Sequence, residues 1–305
     1  MNLPRHFSRP GFLVLLALLL FRGPISPALL AEPSSPGEPT STWDLTDLLD
    51  HLPDLRRFDL PTLLPDSSPF RIYARPHFGD FIRRDYVRLP VGVKYRASEH
   101  LEFVTELEGY FTHGIGDAAG YGLSRLRLGA KHEQVLDPTH LLGWSYGLDF
   151  YTPLSRPPQE LTDGYRHTLP YVALTRTVVP AWKLVGYVAA GADLLDRTPM
   201  RSNFGRNQLH GNATTAAAGI TRQWSRIRTA LTTTYSTTAL LTDEHHDVYA
   251  IRPDILIPLN TRPGLHTRLL FTVGTRAVWG PDGFETGISS SLRIEFSTRA
   301  GPSGR

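Results

Sequence analysis

From Phe70 to Phe296 apolar residues return at every second position. In Asp85–Gly114, Val87, Leu89, Val91, Val93 and Tyr95 alternate with Arg88, Pro90, Gly92, Lys94 and Arg96. Leu101, Phe103, Leu107 and Phe111 then alternate with Glu102, Glu106 and Glu108. A period of two is the signature of a strand. The pattern predicts about twelve strands, starting near Phe70, Tyr86, Leu101, Leu123, Trp144, Tyr165, Trp182, Ala213, Arg226, Val248, Leu265 and Gly287. Each is roughly 9–14 residues long, against ~5–6 in soluble sheets and ~9–11 for a strand crossing lipid. No long helical pattern interrupts them.

The connections also alternate. "RASEH", "RTVVPAW", "RQWSR" and "NTRPG" are short. "THGIGDAAGYG", "SRPPQELTDG", "DRTPMRSNFGRNQLHG" and "TTALLTDEHHD" are longer. "EQVLDPTHLL" is long for its side and "GPDG" tight for its own. Short turns at one rim and long loops at the other describe an outer-membrane barrel. The expected fold is therefore all-β: a closed, antiparallel, up-and-down transmembrane β-barrel of about twelve strands, after a short N-terminal helical or irregular segment.

In such a barrel one strand face meets lipid and the other the lumen, and a charge facing lipid at mid-membrane costs ~2–4 kcal/mol. The charges are one-sided here. Leu126, Leu128 and Ala130 oppose Arg125, Arg127 and Lys131. Leu265, Leu269, Phe271, Val273 and Trp279 oppose His266, Arg268 and Arg276. Ile288, Leu292, Ile294 and Phe296 oppose Arg293 and Glu295. A carboxylate strand (Glu102, Glu106, Glu108) is expected between two cationic ones (Arg88, Lys94, Arg96 and Arg125, Arg127, Lys131), forming a lumenal ladder, because opposite charges attract across strands. A soluble β-sandwich or barrel with a solvated face is the competing reading. Strand length and the features of the N-terminus count against it. Tyr86, Tyr110, Trp144, Tyr151, Trp182, Trp224, Tyr235 and Trp279 fall near segment ends, as expected of aromatic girdles.

The N-terminus adds an export signal. Arg5 and Arg9 precede the apolar run Gly11–Phe21, which is too short to span a bilayer. Ser26 and Ala28 occupy the small-residue positions of a cleavage site. Ala31 is a second candidate, and an uncleaved anchor the alternative. Residues 29–42 read as a Pro/Ser-rich linker and 43–69 as a short periplasmic segment, with a helix capped by Thr42 and ended by Pro53. Residues 70–296 would form the barrel and 297–305 a tail. The formal charge is +3; removal of residues 1–28 takes three arginines and no acid, which leaves zero. That balance gives no reason to expect nucleic acid. The absence of Cys excludes disulfides and thiolate chemistry.

"TGISSSLRIEF", Thr286–Phe296, resembles the terminal strand of bacterial outer-membrane β-barrel proteins, which ends in an aromatic residue read by the insertion machinery. "GLDFYTPL" and "GYRHTLPYVALTRTV" resemble outer-membrane transporter families, including the one named for the phenol meta-degradation pathway. That resemblance implies a channel for small, hydrophobic solutes in the outer membrane, with lipid and the barrel-insertion machinery as partners.

No catalytic pattern emerges. Some outer-membrane barrels are lipases or deacylases with His and Ser two apart; only His6 has such a serine, inside the signal. Asp243–Asp247, "DEHHD", holds metal-ligand types but reads as a solvated loop tip. Glu106 and Glu108, with cations on both sides, would stay ionised and so are unsuited to general-acid work. No cofactor is expected. The expected function is passive passage of small solutes, with the nine ladder residues lining the lumen. The alternative is a sealed anchor whose long loops, Asp196–Gly211 first, bind a partner.

Overall fold

The computed structural model describes residues 69–78, 85–113, 120–137, 142–154, 163–200, 207–224, 227–259 and 267–297. The signal, linker, N-terminal helix and most of the tail lie outside them. The described strands are β1 (Phe70–Ala74), β2 (His77–Phe78), β3 (Asp85–Arg96), β4 (Leu101–His113), β5 (Gly120–Asp137), β6 (Leu142–Pro153), β7 (Tyr165–Val179), β8 (Leu184–Arg197), β9 (Ala213–Gln223), β10 (Arg228–Thr237), β11 (Asp247–Pro258), β12 (Thr267–Gly280) and β13 (Gly283–Ser297). Each pairs antiparallel with its sequence neighbour, except at the start. There β1 and β2 both lie between β3 and β13 and close the ring. They form one stave, interrupted at Arg75–Pro76, where proline has no N–H to give the ladder. The result is a closed barrel of twelve staves.

The predicted starts hold with small shifts, the largest at β13. "EQVLDPTHLL" is not a long connection: β5 runs for 18 residues and absorbs its first half, leaving 138–141. The strand ends that the 97–100, 138–141, 180–183 and 224–227 connections and the longer 259–266 join lie on the rim that also carries Phe70 and Ser297. The strand ends joined by 154–164, 198–212 and 238–246 lie on the other. By the rule of short periplasmic turns the first rim faces the periplasm.

Polarity is inverted relative to a soluble protein. Leu89, Val91, Phe103, Leu107, Phe111, Leu128 and Ile288 are exposed outward, while Lys94, Glu106, Glu108 and Arg127 are each 1% exposed. A surface of this kind is stable only against lipid. The chain is an outer-membrane β-barrel.

Tyrosines lock the interior. Tyr73, Tyr110, Tyr171 and Tyr187 each stand directly across from a glycine on the next strand: Gly92, Gly122, Gly147 and Gly219. Each ring occupies the space a Cβ would need, so each of these four positions excludes a side chain.

Candidate functional site

The interior has two unlike walls. β3–β5 carry the expected charges. Half a turn around the ring, β8–β10 present mostly short side chains, Ala189, Thr215, Ala217, Ala230, Thr232, Thr234 and Ser236, all buried, with the Tyr187 ring lying across them.

All nine sequence-identified residues fall on the charged wall. Arg88, Lys94, Glu102, Glu106, Glu108, Arg127 and Lys131 are buried; Arg96 and Arg125 are partly exposed. The strand register sets Glu102 opposite both Arg96 and Lys131, Glu106 opposite Arg127, and Glu108 opposite Arg125. The ion pairs follow this register only in part, because long side chains also reach diagonally. Lys131 lies 3.4 Å from Glu102 and 3.2 Å from Glu133, and Lys94 lies 3.8 Å from Glu102. Arg96 passes by Glu102 and pairs with Glu133 at 2.6 Å. Arg127 takes a bidentate partner on β6, Asp149, with both bonds at 2.9 Å.

Glu106 is also reached from the first stave. The Tyr73 hydroxyl donates to it at 2.7 Å, and an Arg75 nitrogen lies 3.7 Å away. Gly92 makes this reach possible, since the Tyr73 ring crosses β3 over it. Arg71, on the same stave, pairs with Glu102. Glu108 receives Ser124 Oγ and an Arg125 nitrogen, each at 2.8 Å. The bulge opposite Glu108–Gly109 turns both of these neighbours inward. Two further pairs form within single strands: Arg252–Asp254 and Arg293–Glu295, each at 2.8 Å and two residues apart on one strand face.

Sequence reasoning missed Arg71, Tyr73, Arg75, Glu133 and Asp149. The first three become visible once the first stave is placed beside β3. Asp149 is an isolated charge in "GLDFYTPL", and period alone assigns it no partner.

The outward mouth holds a second cluster. His167 is buried between two carboxylates, with Nδ1 3.0 Å from Asp193 and Nε2 3.0 Å from Asp163. Asp163 also accepts from Gln208 Nε2 at 2.9 Å. Asn207, at φ 57°, donates its N–H to Asp282 at 2.8 Å and accepts the Asp282 N–H at 3.1 Å. Leu209 packs with Ala213, Val248, Ala250 and Val278. The segment 207–209 is thus drawn inward and tied to opposite sides of the mouth. Within Asp196–Gly211, the loop named first for the sealed-anchor alternative, the described residues 207–209 therefore sit at the mouth.

Two expected girdle residues belong inside. Tyr110 lies over Gly122, and Tyr151 is buried beneath the Arg125 and Arg127 guanidiniums. Genuine outer girdles exist at both rims. His132, Tyr146 and Trp144 stack near the periplasmic rim, and Tyr249, Trp279 and Phe284 cluster at the other. In the 243–247 tip, His246 lies 3.6 Å from Glu244 at the surface.

No family model matches the sequence, the phenol meta-degradation transporter family included, and no curated protein matches it. Solved structures do. An outer membrane channel from Pseudomonas putida superposes with a TM-score of 0.52 at 11% identity, covering 77% of this chain and 97% of that one. The KdgM porin gives 0.45 at 8% identity, with 75% and 99% covered. The NanC porin gives 0.43 at 12%, with 74% and 98% covered. The likeness to the Pseudomonas putida channel is one of fold, that of a closed antiparallel barrel of the bacterial outer membrane.

Proposed function

We propose that this barrel is a passive channel for small solutes, with the charged wall of β3–β5 biasing which of them pass. The observation that carries this reading is a set of interior polar groups without a protein hydrogen-bond partner: Lys94 Nζ and the hydroxyls of Thr175, Thr177, Thr221 and Thr234. A dry core penalises such groups heavily, whereas a hydrated lumen satisfies them. Their distribution from β3 round to β10 supports a hydrated interior on both walls. In this reading the path runs along the short side chains of β9 and β10, past the Tyr187 ring, and the arginines and carboxylates opposite give it a charged side. The passage is narrow, since every ladder residue on β4 is buried; it suits slender solutes. The outer membrane channel that shares the fold supports the same reading.

The second reading is a sealed anchor. It draws on the paired, buried state of the same ladder. Single-channel conductance in a planar bilayer separates the two. The channel reading expects discrete steps whose cation preference falls in Glu106→Gln. A folded, inserted protein that never conducts overturns it.

A further inference from the structure

We propose that the periplasmic rim of β7–β10 carries a binding site for the phosphate of an anionic phospholipid, with Arg222 as its principal contact. Arg222 is the penultimate residue of β9. It alternates with the buried, inward Thr221 and therefore lies on the outer wall. Its guanidinium carbon lies 3.8 Å from the centre of the Trp224 ring and 5.3 Å from that of Trp182. Both indoles are exposed at the rim. Trp224 is held in place by its Nε1, which donates to Thr229 Oγ1 at 2.9 Å. Thr229 stands directly across from Arg222.

Among the described residues the cation has aromatic neighbours and no acidic ion-pair partner. Its Nε is buried without a hydrogen-bond partner, and no ion pair joins it to another described residue. Elsewhere the barrel matches its charges carefully, on the exposed outer face as well: Arg166 lies 3.4 Å from Asp196 at the opposite rim. Residues 176–184 and 221–227 contain Arg176, Lys183, Arg222 and Arg226 and no Asp or Glu. Arg176 faces outward on β7, between the buried Thr175 and Thr177. It stands about 10 Å from β9, given roughly 4.8 Å between neighbouring strands.

A planar guanidinium stacked on indoles keeps its edge free for a phosphate, which it binds in a fork. The flanking rings belong to the level where aromatic girdles meet headgroups. That level selects a lipid phosphate over a soluble anion. A second copy of the chain is disfavoured, because a two-fold contact here would set cations against cations.

Native mass spectrometry of the purified barrel, offered phosphatidylglycerol and phosphatidylcholine in equal amounts, tests the site. The wild type is expected to retain phosphatidylglycerol preferentially. Arg222→Gln is expected to reduce that preference several-fold, and Arg176→Gln with Arg222→Gln to abolish it, in variants that keep heat-modifiable gel mobility. Equal retention of both lipids by the wild type overturns the proposal, whether or not the variants fold. So does a preference unchanged in the double variant, or a preference replaced by self-association through this rim.

Discussion

The Tyr187 ring lies flat across Gly219, its direct partner on β9, so that a Cβ on Gly219 would come within 2.4 Å of the phenolic oxygen. That oxygen shares a 2.6 Å hydrogen bond with Thr232, one strand further on. Gly219→Ala must therefore displace the ring and break that bond. Overpacking of this kind costs ~1–3 kcal/mol, and Tyr187→Phe, which loses only the hydroxyl, ~1 kcal/mol. Chemical unfolding in detergent should rank the two in that order. Equal stability of Gly219→Ala and wild type would show that the ring moves freely.

The Arg127–Asp149 pair reports on water in the lumen. Removing one partner of a buried pair in a dry interior costs ~3–5 kcal/mol. In the hydrated lumen proposed above, the abandoned carboxylate finds water, and Arg127→Met should cost only ~1 kcal/mol, as for an exposed pair. A loss in the higher range would favour the sealed anchor.

Gln208 and Asn207 tie the inward segment across the mouth. Gln208→Ala together with Asn207→Ala removes the side-chain bonds to Asp163 and to the Asp282 N–H, and leaves the bond from the Asn207 N–H to Asp282 and the packing of Leu209. Conductance should rise, and residues 198–212 should become cleavable by protease added to intact cells. Unchanged conductance would mean that the narrowest point lies deeper, at the ladder.

Ser124 sets the side-chain parity of β5. Tyr121 and Leu123 face lipid on one side of it, and Leu126 and Leu128 face lipid on the other, with Ser124 and Arg125 both turned in. Deleting Ser124 would send Tyr121 and Leu123 into the lumen, since a one-residue slip reverses every side chain. The deletion should abolish the heat-modifiable folded band, while Ser124→Ala should keep it. A folded deletion variant would show that the bulge relocates.

The period of two made the barrel legible, because lipid and lumen impose opposite chemistries on alternate residues. It also placed Glu102, Glu106 and Glu108 between their cationic neighbours. It could not choose partners. Register puts Arg127 opposite Glu106, and nothing in the period shows that a side chain of that length also reaches Asp149 on the far strand. Period was blind to the bulge at Ser124, where two successive residues share a face. It was also silent on tyrosine, which suits a girdle and a lumen equally well. Only the glycine directly across from it reveals which, and that requires the register.

The broken first stave has a consequence for how the ring is made and where it gives way. Among the described residues, β13 meets it only along Arg71–Ala74 and His77–Phe78, whereas it runs beside β12 from Thr267 to Gly280. This seam joins the two ends of the barrel sequence, so it closes the longest loop in the molecule and carries the largest closure entropy. It is therefore the edge expected to form last and to part first. Arg293 stacked over Tyr73 at 5.2 Å is a clasp across it.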